Sequence, residues 1–201
     1  TMMSLTESDI ETLALERLSA LGYTVLYGPD IAPDAETPLR SSFESPFLPD
    51  FLQEGVNRIN PSSPPAAREE AVRQVLRQVL HLGMGGASPN LISTNEAFHA
   101  LFTQGVSVSY QKDGQTRGDL VWLIDFAKQE NNNFHAINQF TVSENNINKR
   151  PDIVLFVNGL PLVVIELKNA ANEKASVKSA FQQLQTYKAS VPSLMACNAL
   201  L

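Results

Sequence analysis

The chain has 201 residues, 43% of them hydrophobic and 18% charged, with 15 Lys and Arg against 21 Asp and Glu. That length can bury a core in one domain, and a charged fraction below the usual quarter excludes a disordered chain. No run approaches the roughly 18 apolar residues of a membrane span, Thr1-Met2-Met3-Ser4 lacks the layout of a signal peptide, and Cys197 alone makes no internal disulfide, so a cytoplasmic protein away from membranes is expected.

A helix is predicted first. Ser4-Leu5-Thr6-Glu7 has capping-box spacing, and Gly22 supplies a stop after Leu21. At about 100° per residue, Ile10, Ala14, Leu18 and Leu21 share one arc, and Glu7 and Glu11 fall inside it. These carboxylates are candidates for a metal ligand. Equally, Glu7 favours the helix dipole and Glu11 rims the apolar stripe. Residues 28–65 carry eight of the 12 prolines and read as an irregular excursion with one short helix around 51–59. An amphipathic helix follows over 66–82, ended by the glycines at 83, 85 and 86.

From Gly105 the hydrophobic period changes from 3.6 to 2. Strands are expected at 106–110, 120–126, 134–142, 152–157 and 162–168, the last two joined by the hairpin signal Asn158-Gly159. A helix is expected over 172–189, with Val177, Phe181 and Leu184 as its apolar stripe and Gln183 and Tyr187 flanking it one turn apart. Residues 193–201 look like a strand entered and not finished, which suggests a piece of a longer polypeptide. The whole reads as an α/β chain: a single domain over 1–201, with a helical part over 1–104 and a sheet-and-helix core over 105–201. His81, His99 and His135 lack ligand spacing, so no zinc site is expected.

The chemistry concentrates late in the chain. Side chains two apart on a strand share a face, so Glu166 and Lys168 project one way while Val163, Ile165 and Leu167 project the other. A hairpin closed at 158–159 brings Asp152 roughly opposite 166–168. Two carboxylates and an ammonium then converge at the end of an apolar sheet. A hard divalent cation such as Mg2+ or Mn2+ would relieve their repulsion and suits phosphodiester hydrolysis. A half-exposed ion pair at a strand end is the plainer reading of the same residues. Residues 144–188 hold six basic and four acidic side chains, against nine and seventeen in residues 1–143. Lys149, Arg150, Lys174 and Lys178 are therefore the candidates for DNA phosphate contacts, although ordinary surface variation gives a similar asymmetry.

Arg150-Pro151-Asp152, Glu166-Leu167-Lys168-Asn169 and Gln183-x-x-x-Tyr187, in this order, resemble the PD-(D/E)XK nuclease domain of RecB-like variety. More narrowly, the chain is similar to the N-terminal endonuclease domain of the R subunit of type I restriction-modification enzymes. The resemblance rests also on Gly118-Asp119-Leu120-Val121, Asn138-Gln139-Phe140-Thr141-Val142 and Phe156-Val157-Asn158-Gly159-Leu160-Pro161.

It implies a restriction-endonuclease-like core, a central mixed β-sheet flanked by helices. Asp152 and Glu166 would bind Mg2+, with Mn2+ as a substitute, and Lys168 would be the catalytic lysine. Gln183 and Tyr187 would be the auxiliary motif, joined by an acid of the first helix, Glu7 or Glu11. It implies cleavage of foreign double-stranded DNA after ATP-driven translocation, in a complex with methyltransferase and specificity subunits. Gly83-Met84-Gly85-Gly86 lacks the Lys of a phosphate loop, so ATP belongs to the full-length subunit only. A subunit-docking module on the same scaffold, or a nuclease for RNA or branched DNA, are the competing readings.

Overall fold

The computed structural model of the chain describes residues 6–80, 90–169 and 177–198. Helix α1, Glu7–Ala20, begins at a capping box in which the Thr6 hydroxyl accepts from the Asp9 N–H at 3.2 Å and Asp9 accepts from the Thr6 N–H at 2.7 Å. The expected box of Ser4 and Glu7 is thus displaced by two residues; Ser4 lies outside the described residues, and Glu7 is the first helical residue. Leu21 was expected in the buried stripe but is exposed past the helix end, where Gly22 takes φ 96°.

Strand β1, Thr24–Tyr27, was not anticipated; it is a short parallel edge with too few residues to show a period. The excursion then runs through a 3-10 turn at Gly28–Ile31 to α2, Pro49–Ile59, and α3, Pro65–Leu80. The glycines expected to end α3 lie outside the described residues. Helix α4, Leu91–Gln104, was also not foreseen as a helix; the Asn90 side chain caps it by accepting from the N–H groups of Ile92 and Ser93.

Strands β2, Val106–Lys112, and β3, Gln115–Val121, form a hairpin across Asp113-Gly114. The second strand was expected at 120–126, where the apolar residues are. A two-residue turn instead obliges the polar run from Gln115 to pair with Lys112, so ladder geometry overrides hydropathy. The expected strand over 134–142 is split into β4, Phe134–Asn138, and β5, Val142–Glu144, by Gln139 at φ 55°. Strand β6, Ile147–Lys149, returns along β5, then β7, Ile153–Val157, and β8, Leu160–Ile165, form the expected hairpin.

Helix α5 is Val177–Ser190 and the short α6 is Pro192–Met195. The expected apolar stripe of α5 is rotated: Val177 is 90% and Phe181 59% exposed, while Tyr187 is buried and Leu184 packs against the core. Among the described residues of the tail, 193–198, there is no strand, and 199–201 lie outside the described residues. Leu194, Met195, Ala196 and Cys197 are buried in α6 and the turn after it, and the Asn198 amide donates to the Pro161 carbonyl at 3.0 Å.

The central sheet has the order β1-β4-β7-β8, with β1 parallel to β4 and the other neighbours antiparallel. It is the expected mixed sheet flanked by helices. One face packs Ala136, Ile153 and Leu155 against Ala14, Leu15 and Leu18 of α1; the other packs Ile137, Val154, Phe156 and Val164 against Tyr187, Val191 and Leu194. Each such large side chain, fully buried, contributes about 1.5–3 kcal/mol. A second core joins α2, α3 and α4 to the β2–β3 hairpin. No described helix is long and apolar enough to cross a membrane.

Candidate active site

The site begins with a register. The tight turn pairs Val157 with Leu160 and Phe156 with Pro161, but an irregularity between Leu155 and Phe156 shifts the ladder, so Leu155 faces Val163 and Ile153 faces Ile165. The next residues on that register are Asp152 and Glu166, and residues directly opposite share a face. Without the bulge, Asp152 would oppose Ile165, with its carboxylate on the other side of the sheet from Glu166. Pro161, which has no N–H to give a ladder, sits at this irregularity on an edge strand, where a proline is tolerated.

The ladder stops after Ile165, three residues short of the strand end expected from hydropathy. Pro151 offers no N–H there, and the Leu167 N–H is taken instead by the Asp152 carboxylate at 2.7 Å. Glu166 is held at both oxygens: Oε1 accepts from Lys168 Nζ and Oε2 from the Tyr187 hydroxyl, each at 3.0 Å. The Glu166 side chain is only 2% exposed and that of Lys168 23%. Gln183 Nε2 donates to the Tyr187 hydroxyl oxygen at 2.8 Å, one helical turn away. Asp152, Glu166, Lys168, Gln183 and Tyr187 are therefore brought together, and Tyr187 does so from inside the core.

Burial raises the pKa of both carboxyls above the ordinary range. For Asp152 the Leu167 N–H and Lys168 oppose the rise, and for Glu166 the Lys168 hydrogen bond opposes it while Asp152 adds to it. Burial also raises the Tyr187 phenol, which stays protonated and donates. Two carboxyls thus converge in a desolvated place, each raised chiefly by burial. Oxygen-only donors in that state fit a hard divalent cation, so Asp152 and Glu166 are the residues that could hold Mg2+ or Mn2+.

Of the two candidate acids on α1, Glu7 and Glu11, Glu11 is the one that approaches. Its oxygens accept from Asn138 Nδ2 and Gln139 Nε2, both at 2.7 Å, and its charge raises the Asp152 pKa. Among the described residues no three His, Cys, Asp or Glu side chains cluster at ligand spacing, so Glu11 stands behind the Asp152–Glu166 pair. Glu7 is exposed on the first turn and is not brought to the site. Asn138 and Gln139 were not foreseen as its holders. The signal was an amide pair where a strand prediction ran on, and Gly28 packs so closely there that a Cβ would lie 2.6 Å from the Gln139 carbonyl oxygen. Lys149 is half-buried, Arg150 and Lys178 are exposed, and Lys174 lies outside the described residues.

Two carboxylates and a lysine, just beyond the ends of the antiparallel β7 and β8 and braced by a Gln–Tyr helix, stand together. Residues 4–201 match the family described as Type I restriction enzyme R protein N terminus. The chain belongs to this family. It is 37% identical over 198 residues to the "Type I restriction enzyme HindI endonuclease subunit" of Haemophilus influenzae, covering 98% of the chain and 18% of that relative. It is 28% identical over 188 residues to the "Putative type I restriction enzyme MjaIXP endonuclease subunit" of Methanocaldococcus jannaschii, covering 92% of the chain and 17% of that relative. This R-protein N-terminal region thus spans less than a fifth of the length of either relative.

Proposed function

We propose that the chain is the Mg2+-dependent endonuclease domain of a type I restriction enzyme R subunit, hydrolysing phosphodiester bonds of foreign double-stranded DNA in the cytoplasm. Cleavage would follow ATP-driven translocation by a motor outside these 201 residues, in a complex with methyltransferase and specificity subunits; Mn2+ would substitute for Mg2+. The observation that carries the reading is the convergence of the half-buried Asp152 with Glu166, both raised in pKa chiefly by burial, with the Lys168 ammonium 3.0 Å from Glu166.

When bound, the divalent cation supplies Lewis-acid polarisation of the phosphate and activates water. The chain's own groups do the rest. Asp152 and Glu166 present oxygens at one point because the bulge sets them opposite each other. Tyr187, itself fixed by Gln183, holds Glu166 Oε2 in place, and its hydrogen bond favours the ionised form that a ligand needs. Lys168 offsets the negative charge that grows on the phosphate oxygens as the nucleophile adds, from a partly exposed position at the rim of the site.

Lys168→Ala tests this directly. The side chain is at the rim and little packing is lost, so circular dichroism should be unchanged while plasmid cleavage by the full-length subunit in its complex falls at least about 100-fold. Cleavage at the wild-type rate would remove the assignment.

A further inference from the structure

The pairing that carries Asp152 does not end with the sheet. Asn138 faces Ile153, the Gln139 N–H donates to the Asp152 carbonyl at 3.0 Å, and beyond the break at Gln139 and Pro151 the ladder resumes with Val142 opposite Lys149 and Glu144 opposite Ile147. The register is the same on both sides of the break. Hairpin β5–β6 is therefore a prolongation of β4 and β7, leaving the sheet from the end that bears Asp152 and Glu166. Its turn, Asn145-Asn146, has φ 50° and 61°, the left-handed pair that suits strand twist. Roughly 20 Å of extended chain separates that tip from Asp152.

The base of this hairpin is clamped on several sides. The Ser143 N–H donates to the Phe43 carbonyl at 2.9 Å, and Glu144 accepts from the Ser193 N–H at 3.1 Å. The Arg40 guanidinium, in a residue only 4% exposed, donates to the Thr141 carbonyl and to the Ser45 carbonyl, the latter at 2.7 Å, and lies 3.9 Å from the Phe140 ring centre. Burying a cation costs several kcal/mol by rough reckoning. Here it ties the proline-rich excursion to the residues immediately before β5, which gives that excursion a use.

What the clamped hairpin presents is chemically uniform. From Asn145 to Arg150 the chain reads Asn-Asn-Ile-Asn-Lys-Arg, three amides and two cations without an acid, in a protein whose net charge is −6. Residues 145–148 and Arg150 are exposed, and Lys149 is half-buried. Amide and ammonium donors of this kind bind phosphate oxygens and fix a protein on the duplex without reading sequence.

We propose that hairpin β5–β6 is a phosphate-backbone grip, holding duplex DNA beside the scissile phosphate through Asn145, Asn146 and Lys149. This rests on the nuclease reading above and adds how the strand is placed over the carboxylates. A polypeptide of acidic overall charge can hold a polyanion where one exposed stretch, here residues 145–150, concentrates donors, while Glu144 at the base of the hairpin is turned to the Ser193 N–H.

Two changes test it in the whole polypeptide that carries these residues. Asn145→Gly combined with Asn146→Gly keeps the left-handed turn and removes only the amides; with Mg2+, ATP and supercoiled plasmid it should cleave roughly tenfold more slowly than wild type. Photolysis of p-benzoylphenylalanine placed at the exposed Ile147 position, in Ca2+ with a labelled short duplex, should give a protein–DNA adduct. An unchanged cleavage rate overturns the grip, as does an adduct formed with a neighbouring protein subunit and none with DNA. If the DNA adduct forms but wild type and Lys168→Ala are equally unable to cleave, the grip stands and the nuclease reading falls.

Discussion

At Glu166 one oxygen faces an ammonium and the other a phenol, and this division was only half visible beforehand. Strand alternation is enough to predict Lys168 beside Glu166; the ladder stops at Ile165, yet the two side chains still meet at 3.0 Å just beyond it. Tyr187 is different: its spacing from Gln183 marks a helix face, but which face turns inward depends on how α5 packs, and the apolar Val177 and Phe181 pointed to the wrong one. Another buried titratable group makes a separate prediction. His135 stacks on Phe51 with ring centres 4.3 Å apart, and burial lowers its pKa below the model-peptide 6.5. The unfolded chain therefore takes up a proton that the folded chain resists. Stability is complete above about pH 6.5 and falls as the pH drops through that value toward the lower folded pKa, by at most about 1.4 kcal/mol per pH unit. His135→Phe keeps the stack and removes the titration, so its urea midpoint should vary less than that of wild type between about pH 7.5 and 5.5. Identical pH profiles would contradict this.

Among the elements, the β7–β8 hairpin shows where local sequence stops being enough. Asn158-Gly159 announces a tight turn, and the turn forms, with φ 48° and 77°. A two-residue turn alone, however, sets the register one residue away from the pairing that puts Asp152 and Glu166 on a common face; the irregularity near Phe156 and Pro161 corrects it. Bulges depend on packing against the rest of the sheet and leave little trace in hydropathy. The same turn is locked from outside: the Asn158 side chain accepts from the Asn133 N–H at 2.8 Å and donates to the Leu123 carbonyl and Asn132 Oδ1, each at 2.9 Å. Asn158 is fully buried, so Asn158→Ala leaves these groups unpaired and adds a left-handed alanine. We expect a loss of about 3 kcal/mol in chemical denaturation. A loss below about 1 kcal/mol would mean the network is re-satisfied by water.

At the level of the whole molecule, the order β1-β4-β7-β8 brings three distant stretches to one sheet end: α1 with Glu11, the residue before β7, Asp152, and the segment just after β8 with Glu166 and Lys168. The fold class and the late concentration of chemistry were legible, because alternating strands and a tight turn are local signals. The route by which Glu11 arrives was not, since it needs the parallel pairing of β1 with β4 and the left-handed Gln139, both set by contacts more than a hundred residues apart in sequence. At the centre of the proposed function is a divalent cation held by Asp152 and Glu166. Calorimetric titration of the folded chain with Mn2+, alone and with a short duplex, beside its Asp152→Asn variant tests it most directly. Circular dichroism would verify the fold of both. Binding by wild type that is lost or weakened at least about tenfold in the variant is the predicted result. Equal binding by the two proteins, or no binding by wild type in either condition, would contradict it.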